Sequence, residues 1–257
     1  MWKKLRISFL LLILAGVAAQ AWLDKKRFTN WQVPMDVGIV PIAGDDTKET
    51  RAYLDGLTRA DLLPIESFFQ HEALRLKQPF ATPFKITLYP VTERAPPDIP
   101  IHIRTLSSML WSLRIRYYAW SSFRDSMKSR PDIRLFVVYH NPTLSRSIPH
   151  SVGIEKGHIG LVHAFAAISE NQRNQIVIAH ELLHTVGATD KYEATSNAPR
   201  YPEGYAQPDQ QPRYPQLTTE LMAGRRALSE TRAQMPTDLD YCLIGPRTAQ
   251  EIHWSAD

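Results

Sequence analysis

Residues 180–190 read His180-Glu181-Leu182-Leu183-His184-Thr185-Val186-Gly187-Ala188-Thr189-Asp190, and the remainder of the chain is best read outward from them. His180 and His184 are about one helical turn apart, so on a helix both imidazoles project from one face and can share one ion. Glu181 follows the first histidine, which lets its carboxylate reach a water at that ion without being a ligand. Ile178 and Leu182 fall on a different face, and with Ile176-Val177-Ile178-Ala179 upstream they predict a helix packed into a core. Two histidines fall short of a catalytic zinc site, which normally takes three protein ligands and keeps one position open. Gly187 supplies the return, because glycine tolerates the left-handed conformation in which helices commonly end. The reversal brings Asp190 towards the imidazoles as third ligand; a carboxylate oxygen binds zinc at about 2.0–2.2 Å. Glu193 is the rival carboxylate, but it lacks the glycine-turn geometry, and Asp190 is preferred.

Working upstream, residues 157–165 are apolar with glycines at one end and predict a strand, and Ser169 with Gln172 fits a capping box opening the histidine-bearing helix. Residues 37–42, 84–91 and 133–139 are apolar and β-branched enough to be strands. Asp46 or Thr47 caps a helix running to about Leu57. Residues 61–77 predict a second helix, with Leu62, Ile65, Phe69 and Leu76 on one face and Pro64 tolerated in its first turn. Thr105 is the expected cap of a third, burying Leu106, Leu110, Leu113 and Tyr117, with Arg114 and Arg116 solvated or paired. Downstream, residues 193–219 are rich in proline and tyrosine and predict a long irregular loop of the sort that forms a functional wall or lid. Pro246 opens a short closing helix that includes Ala249 and Ile252.

The amino terminus reads differently. Lys3, Lys4 and Arg6 precede a uniformly apolar run over residues 7–19, the pattern of a secretory signal. Ala19-Gln20-Ala21 offers a small-x-small cleavage site, whereas Trp22 and Leu23 extend the run to about the length that spans a bilayer. Residues 1–27 are therefore a signal peptide or a membrane anchor, with residues 7–23 as the possible tether and the body exported to the periplasm or the extracellular space. Setting aside the three leading cations brings the formal charge of +4 close to neutrality. Such a body lacks the dense basic face that a nucleic-acid partner requires. Cys242 is the single cysteine, so no intramolecular disulfide is available, and its expected role is a small core residue.

The stretch from His180 to Asp190 resembles the metzincin zinc signature H-E-x-x-H-x-x-G-x-x-H/D, in the variant with aspartate in the third-ligand place, as in snapalysin-type bacterial proteases. Metzincins also carry a methionine-containing turn beneath the metal. Glu220-Leu221-Met222-Ala223-Gly224 matches it, so the resemblance implies that Met222 floors the imidazoles and that Gly187 shapes the turn. In some relatives a tyrosine two places after that methionine approaches the metal; here that place is Gly224, and Tyr192 is the nearest tyrosine to the motif in sequence. The fold implied is α+β and metzincin-like: a twisted mixed sheet, an active-site helix and a small irregular C-terminal subdomain. Residues 28–257 would form one metallopeptidase domain, its upper part ending about residue 187 and its lower part covering 188–257. An antiparallel edge strand along the cleft would pair with extended protein or peptide substrate. Residues 157–165 are the candidate for it, with His158 and His163 available to line the cleft. The helices before residue 130 have no ready counterpart in the family core.

The activity implied is that of a zinc-dependent endopeptidase. Glu181 would take a proton from a water at the Zn2+ ion and deliver it to the leaving amine. Two other readings compete: a tethered binding or scaffold protein with a non-catalytic zinc, and a zinc amidase acting on cell-wall peptide.

Overall fold

The computed structural model describes residues 2–98, 100, 105–123, 130–144 and 147–254. The chain divides into two compact units, residues 1–33 and 34–257. The first is a single helix, α1 (Trp2–Asn30), long and apolar enough to cross a membrane. Its large apolar side chains from Trp2 to Leu23 are exposed.

The second unit is built on a five-stranded sheet. In chain order its elements are β1 (Met35–Ala43), α2 (Lys48–Gly56), α3 (Leu63–Arg75), β2 (Phe84–Leu88), α4 (Thr105–Ser122), β3 (Ile133–His140), β4 (Val152–Ile154), β5 (Ile159–Phe165) and α5 (Asn171–His184). Spatially the strands run β2-β1-β3-β5-β4, parallel except for β4, which pairs antiparallel with β5. The parallel strands β1 and β3 read as nearly continuous apolar runs because both of their faces are covered. On one face α4 packs Ile115, Tyr118 and Ala119, with Phe123 just past its end, against Phe136, Val138, Ile159 and Leu161. On the other, α3 meets β2 through Phe69 and Phe84, with ring centroids 4.7 Å apart, and α5 packs on β5. An α+β fold with a mixed sheet, as expected, is what forms.

Thr47 caps α2 by accepting from the Thr50 N–H. The segment expected as one helix from residue 61 instead opens with a 3-10 turn, Arg59–Leu62, where Thr58 and Asp61 form a capping box. The capping role of Thr105 lies outside the described side chains. Three expectations need correction. Leu106, Leu110, Leu113 and Tyr117 are exposed, not buried, because α4 is apolar around most of its circumference and its contact with the sheet selects the opposite face. Residues 157–165 do not supply an edge: β5 is enclosed between β3 and β4, and the edge strand is β4. The capping box at Ser169 and Gln172 is also absent. A 3-10 turn, Ile168–Glu170, precedes α5, and Asn174 anchors the helix by bonding both the N–H and the carbonyl of Phe165.

After α5 the chain forms no strand until β6 (Thr219–Glu220), which agrees with a long irregular loop. Short strands β7 (Arg226–Ala227), β8 (Ala233–Gln234) and β9 (Cys242–Leu243) follow, then α6 (Pro246–Glu251). Cys242 is buried, as a core residue should be, and burial pushes its thiol pKa up.

Candidate metal centre

Helix α5 ends at His184, and the chain reverses through Gly187 at φ +106°, a conformation costly for any residue with a Cβ. A Cβ there would also stand 3.3 Å from the Glu251 carbonyl oxygen. The reversal carries Asp190 back to the helix. Its Oδ1 lies 3.2 Å from His180 Nε2 and 3.1 Å from His184 Nε2, and the two Nε2 atoms are 3.1 Å apart. These three side chains form a group able to hold a metal ion. The imidazole side chains are 13% and 17% exposed and that of Asp190 43%, so the group opens towards solvent on the aspartate side.

The other ring nitrogens explain why the Nε2 atoms converge. His180 Nδ1 lies 2.9 Å from the Leu221 carbonyl oxygen and His184 Nδ1 lies 2.8 Å from that of Ala188. A carbonyl only accepts, so each Nδ1 carries a proton; in the neutral ring Nε2 then turns its lone pair to the shared point, and in the protonated ring it donates to Asp190. Burial alone would lower the pKa of His180, but the bond to Asp190 and the charge of Glu181 outweigh it, and the net shift is upward. Burial would raise that of Asp190, yet the two imidazoles bonded to it hold the carboxyl well below its usual range.

Glu181 sits beside this group, 6% exposed. Burial raises its pKa against the opposing pull of both histidines, and its Oε2 is buried without a hydrogen-bond partner. Strand β4 closes one side. A Cβ on Gly153 would stand 2.4 Å from His184 Cβ and 2.6 Å from the Glu181 carbonyl oxygen, so only glycine lets the strand approach the helix this closely. Tyr192 flanks the other side, its ring centroid 6.4 Å from that of His180. Burial and the Asp190 carboxylate push its hydroxyl pKa up to about 12, so it is a proton donor at neutral pH.

The turn containing Met222 is fully buried and joins the site through two backbone links: the Leu221 carbonyl to His180, and the Met222 carbonyl to the Lys191 N–H at 2.9 Å. Glu220 fastens it from below, accepting from the Ala223 and Gly245 N–H groups and the Thr248 hydroxyl. One clamp has no local sequence signal. Lys191 is 1% exposed, and its Nζ reaches Glu251 Oε2 on α6 at 2.7 Å and Thr189 Oγ1 at 2.8 Å. Glu251 also accepts from the Thr189 N–H and hydroxyl, so α6 grips both neighbours of Asp190.

The other sequence candidates lie elsewhere. Glu193 is exposed and outside the group. His158 Nδ1 bonds the Thr185 carbonyl at 2.8 Å. His163 pairs with His140 at 2.9 Å near the carboxyl end of β3.

No family model and no curated protein matches this sequence. Among solved structures the chain is similar to the crystal structure of wild-type OgpA from Akkermansia muciniphila, at 13% identity and a TM-score of 0.32, with 84% of this chain and 58% of that chain covered. The chain thus spans a little over half the length of that protein.

Proposed function

We propose that this chain is an exported zinc-dependent endopeptidase of metzincin-like build. The observation that carries the reading is the convergence of His180 Nε2, His184 Nε2 and Asp190 Oδ1 to within 3.2 Å, beside a buried Glu181 oxygen that has no partner. Two imidazoles and one carboxylate are a donor set that zinc accepts. A purely structural ion gives a buried carboxylate next to it no task, and a buried acceptor left unpaired costs about 1–3 kcal/mol.

Zinc bound there would supply Lewis acidity towards a carbonyl oxygen and towards water. The chain's own residues do the rest. Glu181, its pKa raised, is suited to take a proton and return it to a leaving amine. Tyr192 holds its proton and can donate a hydrogen bond to charge that develops on the carbonyl oxygen. Among the described residues β4 pairs only with β5, and it touches α5 next to Glu181, so an extended peptide can add to its outer side and lie across the site. The strand order β2-β1-β3-β5-β4, with a short antiparallel edge beside the histidine helix, supports this build.

The test compares wild type, Glu181→Gln and His184→Ala for bound zinc and for digestion of a peptide library. Glu181→Gln should keep the metal while kcat/KM falls by roughly 10²–10⁴-fold; His184→Ala should lose the metal. Wild-type turnover in Glu181→Gln would rule out this residue as the base. Zinc binding without cleavage of any peptide by the wild type would favour the scaffold reading.

A further inference from the structure

A second group of charged side chains lies where β3 and β5 begin, outside the metal centre. Arg134 is on β3 with its side chain on the α4 face, like Phe136 and Val138. Its Nη2 donates to the Gly157 carbonyl at 3.0 Å, whereas its Nε is buried with no partner. Arg116 on α4 donates to the adjacent Lys156 carbonyl, and a Cβ built on Gly157 would stand 3.7 Å from its guanidinium carbon. Arg130 is exposed, its guanidinium carbon 5.8 Å from the centroid of the Trp120 ring. Trp120 lies one helical turn beyond Arg116 on α4, so Arg130 and Arg116 border the same stretch of that helix; burial, then the charges of Arg130 and Arg116, lower the pKa of Arg134. Among the described residues none of the three makes an ion pair. Asp132, close in sequence, accepts from the Asp36 N–H at 2.9 Å.

Like charges held together repel, and an unpaired buried donor is costly; an anion placed among them relieves both. Guanidinium groups match phosphate oxygens in geometry as well as charge. Two further features select the source of the phosphate. Only residues 31–34 separate α1 from β1, and Arg134 is in register with Gly38 on β1. α1 is itself long and apolar enough to cross a membrane, so a lipid surface is available to a chain that retains it. Around Arg116 on α4, Leu113 and Tyr117 are more than 60% exposed and Trp120 is 40% exposed, the aliphatic and aromatic mixture favoured at a membrane interface.

We propose that Arg116, Arg130 and Arg134 bind the phosphate of an anionic phospholipid headgroup, seating the body on the membrane through the outer side of α4. The inference does not depend on the metal reading. The test uses the full chain in neutral detergent and follows Tm during titration with dihexanoyl phosphatidylglycerol, dihexanoyl phosphatidylcholine or inorganic phosphate. Phosphatidylglycerol should raise Tm saturably, and both Arg134→Gln and Arg130→Gln should weaken its apparent affinity about tenfold or more. Arg130 is exposed, so its variant remains informative if Arg134→Gln folds poorly. An equal response to phosphatidylcholine, or to inorganic phosphate, overturns the lipid assignment. A phosphatidylglycerol response that survives in the Arg130→Gln variant, or none in wild type, overturns the site.

Discussion

At the residue scale the candidate centre depends on groups that never touch its shared point. Asp190 is the half-exposed member of the set, and its position follows from Thr189 and Lys191 on either side, both bound to Glu251. Glu251→Ala should therefore weaken zinc binding about 10–100-fold while His180 and His184 remain in place. It should also destabilise the fold by about 3–5 kcal/mol, because it leaves the Lys191 ammonium buried and unpaired. Competition with a chromophoric chelator and urea unfolding measure the two effects; unchanged zinc affinity would show that Asp190 needs no such support. The histidines, Glu181, Gly187 and Asp190 were legible in the sequence because one helical turn and one reversal relate them, and both are local. The Lys191–Glu251 pair was not, since its partners are 60 residues apart and meet only once α6 has docked.

At the scale of elements, legibility tracked length and contrast. A largely apolar run over residues 37–42 announces β1, and the recurrence of core positions on one face announces α3. β4 has three residues and gives no periodic signal, so its role as the edge beside the site passed to β5, whose apolar run in fact reflects enclosure between two neighbours. α4 misled for the opposite reason: with apolar residues on most sides, the spacing alone cannot say which side meets the sheet. The closeness of β4 to α5 is itself testable. A methyl group on Gly153 would collide with His184 Cβ and with the Glu181 backbone, so Gly153→Ala must push strand and helix apart. Displacements of about 1 Å can cost about 100-fold in rate, and kcat/KM for a peptide substrate should fall on that order. Steady-state assay of the variant, with zinc content measured alongside, checks this; an unimpaired variant would mean that β4 takes no part in presenting substrate.

Across the body formed by residues 34–257, the sheet separates two chemistries. The face bearing α5 carries the group able to hold a metal ion, where burial is opposed by neighbouring opposite charge and His180 is shifted upward. The α4 face carries the His140–His163 pair, where burial prevails. Desolvation, and then the charge of His140, lower the pKa of His163 to about 4; desolvation lowers that of His140 too, with Asp45 opposing. Both rings are therefore neutral at pH 7 and share one proton donor and one acceptor across 2.9 Å. An unfolded histidine titrates near 6.5, so as pH falls from about 6.5 towards 4 the unfolded chain binds protons that the folded chain refuses. The contribution of the pair is complete above pH 6.5 and is lost progressively as the solution is acidified to about pH 4. His163→Gln should leave stability at pH 7.5 within about 1 kcal/mol, a neutral ring giving way to a neutral amide at a half-buried site. The gap between variant and wild type should then shift in the variant's favour through that window, read from urea midpoints at half-unit steps of pH. A gap that stays constant from pH 7.5 to 4 would mean that His163 takes up its proton as readily in the folded protein as in the unfolded chain, and that its own surroundings do not exclude charge.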